Sequence, residues 1–319
     1  MLSALMEMPN KSCAPSRISG KSTKHIAVCI CTYKRPHLLK HLLETLGLQQ
    51  TDRLFTYSIV VVDNDHLQSA IGVVAEFAGV SPIAVRYFVE PRQNIALARN
   101  KAVENAQGDF VAFIDDDEVP TARWLVALFR ACERYQVDGV LGPVKPRFDK
   151  NAPQWVVEGR FYDRPTYPTG FVIDGTKGRT GNVLLKKRVF ASCPQPFRPE
   201  FRTGEDQDFF RRMIARKHVF IWCDEAVAFE VVPPVRWKRI FMLRRALLRG
   251  QSAIFHSTFG MRDIAKSVIA VPVYMATLPF ALLLGQHRFM SILIKLFDHL
   301  GKLCAVLGIQ PVAGQYITE

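Results

Sequence analysis

The chain has 319 residues, of which 49% are hydrophobic and 22% charged. This composition excludes a disordered or fibrous protein, and the length allows one large domain or two smaller ones. Lys and Arg number 42 against 29 Asp and Glu, a net charge of +13, which favours anionic partners such as nucleic acid, anionic lipid headgroups or phosphorylated small molecules.

The N-terminal segment and the cysteines say little about function. The first 25 residues contain cations but no apolar run, so we predict no secretory signal and a flexible tail over residues 1–25. The seven cysteines include no CxxC pair, which argues against a structural zinc site or a disulfide framework. Cys29 and Cys31 alternate within one apolar run and are expected to share one face of a strand. We interpret the cysteines as reduced thiols of a cytoplasmic protein.

From His25 to about Gly142, short apolar runs alternate with helical periodicity. The runs predict four buried strands, at Ile26–Cys31, Tyr57–Val62, Val85–Val89 and Phe110–Ile114. Helices are predicted from Pro36 and over Gln68–Phe77, Asn94–Ala106 and Thr121–Tyr135. Apolar strands that alternate with helices predict an α/β fold, with a mostly parallel sheet flanked by helices on both faces.

Polar residues follow three of these strands. Thr32 follows the first strand, Asp63 the second and Asp115 the fourth. In open α/β sheets the ligand crevice lies at the carboxyl ends of the strands. We therefore expect these three side chains to face one site.

The acids Asp115-Asp116-Asp117, which Glu118 follows, are a candidate metal site. In an extended segment Asp115 and Asp117 point the same way, and two close carboxylates repel each other unless a cation neutralises them. Ligands that are all oxygen suit a hard cation such as Mg²⁺ or Mn²⁺. The alternative is a solvated acidic turn before the helix predicted at Thr121. We favour the metal site.

Four further residues have alternative interpretations that the residues alone leave open. Glu205 and Asp206 are either ordinary acids in the first turn of a helix or include a general base that deprotonates a hydroxyl. Arg99 is either a surface cation on its helix or a contact to a phosphate. Trp155 is either part of the core or an aromatic platform for a sugar ring.

The C-terminal part of the chain combines a basic run with apolar segments. Arg236–Arg249 contains six cations and no acid, and Ser267–Gln286 is twenty residues without charge. That length is enough to cross a membrane, but Pro272 and Pro279 interrupt it, so a re-entrant or in-plane helix competes with a span. Phe289–Leu307 is amphipathic and suits an interface.

Six short motifs, in this order along the chain, resemble those of family 2 glycosyltransferases. They are Val28–Pro36, Val61–Asp65, Asn94–Asn100, Gly108–Asp117, Thr180–Asn182 and Gly204–Asp206. The match covers roughly residues 26 to 215. The resemblance implies a GT-A fold, an inverting displacement and a nucleotide-diphosphate sugar as donor.

The resemblance also implies roles for individual residues. The donor would be contacted by Thr32, Asp63, Asn94, Arg99, Asp115 and Asp116. A divalent cation, Mg²⁺ or Mn²⁺, would be held by Asp115 and Asp117 and would stabilise the departing diphosphate. Asp206 would be the catalytic base for the acceptor hydroxyl, and we assign Trp155 and Glu205 to the acceptor site.

The C-terminal segment points to a membrane-bound acceptor. Arg236-Trp237 resembles the end of the QxxRW motif of processive synthases, but Pro233 stands in place of the Gln, so we expect transfer of a single sugar. The hydrophobic tail and the motifs look similar to bacterial exopolysaccharide glucosyltransferases of the succinoglycan type. Those enzymes extend an oligosaccharide on a polyprenyl diphosphate at the inner membrane.

We therefore predict three regions. A flexible tail covers residues 1–25, a GT-A domain covers 26–235, and a basic and hydrophobic helical region that associates with the membrane covers 236–319. The expected partners are a nucleotide-diphosphate sugar, which we predict to be UDP-glucose, a polyprenyl-diphosphate-linked or other glycan acceptor, and membrane lipid at the cytoplasmic face of the inner membrane.

Three other functions compete with this prediction. A sugar nucleotidyltransferase usually needs a glycine-rich phosphate loop near its N-terminus, and Cys31–Arg35 supplies none. A non-catalytic membrane scaffold could retain the same fold. Nucleic-acid binding would use the positive charge, but the cations concentrate beside the hydrophobic tail, so no nucleic-acid partner is expected.

Overall fold

The computed structural model describes residues 23–191, 193–201, 204–255 and 259–312. The strands are β1 (Lys24–Thr32), β2 (Phe55–Asp63), β3 (Val85–Val89), β4 (Phe110–Ile114), β5 (Glu118–Pro120), β6 (Gly139–Leu141), β7 (Val144–Phe148), β8 (Asn182–Lys186), β9 (Phe220–Trp222) and β10 (Ala228–Val232). The helices are α1 (Pro36–Leu46), α2 (Ile71–Val80), α3 (Ile95–Asn105), α4 (Trp124–Tyr135), α5 (Gln154–Glu158), α6 (Arg188–Ala191), α7 (Glu205–Ala215), α8 (Arg239–Ser252), α9 (Met261–Leu283) and α10 (Gln286–Val306). Most of the predicted tail, residues 1–22, lies outside the described residues, and β1 already includes residues 24 and 25.

The main sheet has seven strands in the order β3-β2-β1-β4-β8-β6-β9. Its first four strands are mutually parallel, which confirms the predicted α/β fold with a mostly parallel sheet. The short strand β8 runs antiparallel to both β4 and β6, a feature that its sequence does not predict. Thr32 and Asp63 are register partners at the ends of β1 and β2, so two of the three predicted strand ends lie side by side.

Helices cover both faces of the sheet, which explains why its strands are apolar at nearly every position. On β1, Ile26, Val28 and Ile30 pack against the face that holds α1 and α4. Cys29 lies on the opposite face, among residues of α3 and α7, and Cys31 packs against the same cluster. The two thiols therefore share one face, as predicted, and both are free.

Two helices begin later than the sequence predicts, because the polar groups before them form turns. Gln68 has φ of 56°, a left-handed conformation that cannot lie inside an α-helix, and α2 starts at Ile71. The backbone N–H of Thr121 donates to the carbonyl oxygen of Val227, so α4 starts only at Trp124.

A second, three-stranded sheet lies directly after the run of acids, in the order β5-β10-β7. Strand β10 pairs antiparallel with β5, and this register sets Glu230 opposite Glu118. The pairing also brings the 3-10 turn Pro234–Trp237, which follows β10, to the end of β4. The small sheet thus adds residues from the C-terminal part of the chain to the predicted site.

The C-terminal helices pack on one another and on the preceding domain. Helix α10 contacts both α8 and α9, and Val232, Met242 and Met290 share a hydrophobic cluster. Among the described residues, one helix, α9, is long and apolar enough to cross a membrane. An 18-residue stretch of it has a mean hydropathy of 1.6, and 11% of that stretch is buried inside the protein. The predicted uncharged run Ser267–Gln286 is not one helix, because a turn at Gly285 with φ of 107° separates α9 from α10.

Asn182, at the start of β8, joins three separate segments through its buried side chain. Its Oδ1 accepts a hydrogen bond from Nε1 of Trp124 at 2.7 Å, and its Nδ2 donates to the carbonyl oxygens of Ala226 at 2.7 Å and Pro143 at 3.0 Å. Asn182 is only 2% exposed, so water cannot readily replace these partners.

We predict that Asn182→Ala lowers the free energy of unfolding by about 3 kcal/mol or more, because three buried polar groups lose their partner. Urea unfolding followed by tryptophan fluorescence measures this. The control is Asn151→Ala, at an exposed position, which is expected to change the free energy by less than about 0.5 kcal/mol. Equal stability of the two variants would contradict the structural role of Asn182.

Candidate active site

The ends of β1 and β4 meet through Asp116. Oγ1 of Thr32 donates to Oδ2 of Asp116 at 2.8 Å, and both residues are buried. Burial and the neighbouring charge of Asp117 raise the pKa of Asp116 to about 7, although Arg35 and Thr32 oppose the shift. The structure therefore brings Thr32 and the acidic run together, as the strand pattern predicts.

Two arginines hold Asp117. Nη2 of Arg236 lies 2.8 Å from Oδ2 of Asp117, and Nη1 of Arg35 lies 3.5 Å from the same oxygen and 3.2 Å from Oδ1 of Asp116. Nη1 of Arg236 also lies 2.7 Å from Oε1 of Glu230. Asp117 thus faces cations that come from the start of α1 and from the turn before α8.

Glu118 is almost completely buried and is only partly neutralised. Its Oε2 accepts a hydrogen bond from the backbone N–H of Asp115 at 3.4 Å. Nη1 of Arg164 lies 3.9 Å from Oε1 of Glu118, while the same guanidinium forms a closer ion pair with Glu230. Oε1 has no hydrogen-bond partner. Burial and the charge of Asp115 raise the pKa of Glu118 well above its ordinary value, against the effect of Arg164.

Arg99 connects the acidic run to α7. Its guanidinium forms an ion pair with Glu205 and lies 3.5 Å from Oδ1 of Asp115. Burial raises the pKa of Asp115 and Arg99 opposes the shift, yet the Asp115 side chain is 42% exposed. Asp115 is therefore the acid of this run that is open to a ligand.

Asp206 lies at the N-terminus of α7, next to the ion pair of Arg99 with Glu205. The helix begins after Gly204, whose φ of 84° requires the left-handed conformation that glycine adopts without strain. Asp206 is half-buried, and its Oδ1 accepts a hydrogen bond from the backbone N–H of Gln207 at 2.7 Å. Among the described residues it forms no ion pair, and its role as a base stays a prediction.

Six carboxylates and four arginines are connected by these contacts, and we call them the charge network. The acids are Asp115, Asp116, Asp117, Glu118, Glu205 and Glu230, and the arginines are Arg35, Arg99, Arg164 and Arg236. When all are ionised, the network keeps a net negative charge. Burial makes that charge unfavourable unless a cation compensates it.

The carboxylate oxygens of two acids converge beside Gly181. A Cβ at this position would lie 2.7 Å from Oε1 of Glu118 and 2.9 Å from Oδ2 of Asp115, so only glycine lets both oxygens approach the backbone this closely. Oγ1 of Thr180, the preceding residue, is also buried without a hydrogen-bond partner. Oxygen ligands of this kind suit Mg²⁺ or Mn²⁺.

The protein supplies only part of such a coordination shell. Within the described residues, no three His, Cys, Asp or Glu side chains are grouped so that they could hold a metal ion by themselves. This arrangement is typical of Mg²⁺ sites in which phosphate oxygens and water complete the shell. Because Asp117 pairs with two arginines, its role as a metal ligand stays a prediction.

Asp63 and Asn94 use their side chains within the protein. Asp63 is completely buried, and its carboxylate accepts hydrogen bonds from the backbone N–H groups of Asp65 and Ala70 and from the hydroxyl of Tyr87. Oδ1 of Asn94 caps α3, and its Nδ2 donates to the carbonyl oxygen of Pro199 at 2.8 Å. The contacts of both residues to a donor stay predictions.

Trp155 lies in the hydrophobic cluster that joins the domain to the C-terminal helices. Its ring packs edge-on against Phe161 with centroids 6.0 Å apart, and the guanidinium of Arg239 lies 5.8 Å from its centroid. The structure therefore shows a half-buried packing residue, and acceptor stacking stays a prediction.

Five residues of the charge network were not predicted as site residues. One of them, Glu118, directly follows the predicted acids. Arg35 lies within the motif Val28–Pro36, three residues after the end of β1, so its position was a usable signal. Arg236 belongs to the Arg-Trp pair that resembles a synthase motif, but the sequence does not show that it binds Asp117. Arg164 and Glu230 carry no local signal, because their contacts depend on the pairing of β10 with β5.

Comparison with known proteins identifies the class. Residues 27–191 match the family described as glycosyl transferase family 2. Because this match covers more than half of the chain, the chain belongs to that family and is a glycosyltransferase. The family assignment gives no support to the nucleotidyltransferase alternative.

Individual relatives cover nearly the whole chain. The chain is 28% identical over 303 residues to the succinoglycan biosynthesis protein ExoM of Rhizobium meliloti, which spans 91% of this chain and 95% of that protein. Among solved structures, the mannosyltransferase PcManGT from Pyrobaculum calidifontis, in complex with GDP-Man and Mn²⁺, superposes with a TM-score of 0.59 at 18% identity, covering 90% of this chain and 87% of that one. S. aureus TarS 1-349 in complex with UDP-GlcNAc gives a TM-score of 0.53 at 15% identity, covering 90% of this chain and 93% of that one. These structures confirm the predicted GT-A fold.

We predict that Gly181→Ala weakens Mn²⁺ binding in the presence of UDP roughly 10- to 100-fold, because the new methyl group displaces the two carboxylate oxygens. Isothermal titration calorimetry measures the affinity, and circular dichroism verifies that the variant is folded. Gly79→Ala is the matched control, since its Cβ would meet no atom within 4 Å. If folded Gly181→Ala protein binds Mn²⁺ with unchanged affinity, the cation does not bind beside Gly181.

Proposed function

We propose that this glycosyltransferase is inverting and metal-dependent, and that it moves one sugar from a nucleotide-diphosphate sugar, UDP-glucose in our proposal, to a lipid-linked oligosaccharide during exopolysaccharide synthesis. The observation that carries the proposal is the contact of Arg99 with both Asp115 and Glu205. It fixes the start of α7, and with it the candidate base Asp206, beside the acidic run at the end of β4. The similarity to a succinoglycan biosynthesis protein supports the assignment to exopolysaccharide synthesis.

The donor side of the proposal lies at the ends of β1, β2 and β4. Asp115 and Glu118 would hold the divalent cation, and Asp117 would join them if Arg35 or Arg236 releases it. When bound, the cation would neutralise the diphosphate and stabilise it as a leaving group. Two structural neighbours were solved with GDP-Man and Mn²⁺ or with UDP-GlcNAc, which supports a nucleotide sugar and a divalent cation as ligands here.

The acceptor side is formed by the first turn of α7. In our proposal Asp206 removes the proton from the acceptor hydroxyl, and the oxygen then attacks the donor sugar from the face opposite the leaving diphosphate, which inverts the configuration. Glu205 cannot take over this role while Arg99 neutralises it. We assign Glu205 to holding the helix and the acceptor in position.

The C-terminal region would attach the enzyme to the membrane. We propose that residues 26–235 form the catalytic domain and that residues 236–319 bind the cytoplasmic face of the inner membrane. Large apolar side chains along α9 are exposed, among them Ile269 at 65% and Phe280 at 68%. An apolar helix surface beside a basic helix is typical of association with an anionic membrane.

We predict that Asp206→Asn lowers the rate of sugar transfer roughly 10²- to 10⁴-fold, because the acceptor hydroxyl loses its base. UDP binding, measured by calorimetry, is expected to stay unchanged. The matched control is Asp208→Asn in the same helical turn, where the carboxylate pairs with Arg212 at 2.8 Å, and this variant is expected to retain transfer activity. An Asp206→Asn protein that still transfers sugar at the wild-type rate would exclude this residue as the base and would favour a different catalytic residue.

We predict that replacing Ile269 and Phe280 together by Glu releases the protein from membranes, since two charges on the apolar surface of α9 oppose insertion. Flotation with vesicles that contain phosphatidylglycerol measures the bound fraction. Leu48→Glu is the control, because Leu48 is an equally exposed apolar residue, at 73%, that follows α1 in the catalytic domain. If the double variant floats with the vesicles as the wild type does, α9 does not mediate the association.

A further inference from the structure

A polar cavity lies between the catalytic domain and the C-terminal helices. It has a volume of about 180 Å³, and its walls include Arg164 and Arg179 from the domain, Arg245 and Arg249 from α8, and the apolar side chains of Met242 and Ile294. We call it the arginine cavity. Sites for complete drug-sized ligands are usually about 300–1,000 Å³, so this cavity suits a small group and not a whole nucleotide sugar.

The arginine cavity has an excess of positive charge. Its four arginines face two acids, Asp163 and Glu230, and both acids already have partners. Asp163 pairs with Arg160 at 2.6 Å, and Glu230 pairs with Arg236 and Arg164. The cavity therefore lacks anions to match its cations.

Two of the four arginines pair with acids. Arg249 pairs with Asp298 and Arg164 with Glu230. In the described part of the chain, neither Arg179 nor Arg245 forms a hydrogen bond or an ion pair. The Arg245 side chain is exposed at the mouth of the cavity, yet the protein atoms around it and the charge of Arg236 lower its pKa, while Glu230 opposes the shift. A bound anion would relieve both effects.

The arginine cavity adjoins the acids that border Gly181 in the active site. Arg164 lines the cavity and also approaches Glu118 of the charge network. Arg179 precedes Gly181 by two residues, a span of at most about 7 Å along the backbone, and Gly181 borders the oxygens of Asp115 and Glu118. On its other side the cavity is closed by α8 and α10, and α10 packs on the apolar helix α9. A ligand here would have a phosphate group between a sugar-transfer site and a lipid-facing surface.

We propose that the arginine cavity binds the diphosphate that joins the lipid to the glycan of the acceptor, with Arg179 and Arg245 as donors to its oxygens. This inference rests on the proposed function, since it assigns a place to the lipid-linked acceptor. Guanidinium groups bind phosphate through paired, charge-assisted hydrogen bonds. The same chemistry would also bind the headgroup of an anionic phospholipid, so the test separates the two sources.

The test uses the full-length protein in EDTA, so that no metal recruits diphosphate to the donor site. Binding is measured by co-sedimentation with three kinds of phosphatidylcholine vesicle: plain, with farnesyl diphosphate, and with phosphatidylglycerol at matched surface charge. The variants are the double substitution Arg179→Gln with Arg245→Gln, the conservative Arg245→Lys, and the control Arg244→Gln at the neighbouring exposed position.

We expect the wild type and Arg244→Gln to bind farnesyl diphosphate vesicles about tenfold more tightly than phosphatidylglycerol vesicles, because one additional charge-assisted hydrogen bond is worth about a factor of ten. The double variant is expected to lose this preference and to keep its phosphatidylglycerol binding, whereas Arg245→Lys should keep part of the preference. Because no sugar transfer is measured, a failure of Asp206→Asn in the activity assay is a separate result.

Three outcomes would overturn the proposal. The first is a wild type that shows no preference for diphosphate. The second is a double variant that keeps the preference. The third is a double variant that loses both kinds of binding equally, which would make the arginine cavity a general site for lipid headgroups. Circular dichroism of each variant verifies that a loss of binding does not come from misfolding.

Discussion

The charge network at the end of β4 is the constraint on which the rest of the site depends. Its acids lie close together because the strand order and the pairing of β10 with β5 place them there. Such a group of carboxylates is stable only if cations alternate with them, and the four arginines come from α1, α3, the segment before β8 and the turn before α8. Removing one partner of a buried ion pair typically costs about 3–5 kcal/mol, so each arginine also holds its own segment against the sheet.

Positive and negative charges are not evenly matched across the charge network. As a result, the region around Gly181 is negative and the arginine cavity is positive. Around Gly181 the oxygens of Asp115 and Glu118 leave a negative space that suits a cation. Beyond Arg164 and Glu230, the arginine cavity has cations without matching acids. A nucleotide diphosphate and an acceptor diphosphate both carry phosphate, yet the two spaces would distinguish them. The negative space at Gly181 accepts a diphosphate only together with a metal cation, whereas the arginine cavity supplies positive charge from its own side chains.

The sequence could predict those features that depend on local pattern. Apolar strands alternating with helices indicate a parallel sheet, and polar residues after β1, β2 and β4 locate its crevice. The antiparallel strand β8 and the pairing of β10 with β5 join distant segments, so no local pattern reveals them. Asp63 shows a further limit, since a polar residue at a strand end can face either a ligand or its own loop. Its three internal hydrogen bonds can be seen only in the folded chain.

Helix α8 and the turn before it connect the charge network to the C-terminal helices. Arg236 in the turn binds Asp117, and Arg245 on the helix lines the arginine cavity. The sequence becomes basic and apolar after residue 235, but the chain on either side of this point packs together. Val232, Met242 and Met290 form one hydrophobic cluster. Because α8 supplies residues to the wall of the arginine cavity and lies just after Arg236, which binds Asp117, the same segment contributes to the cavity and to the charge network.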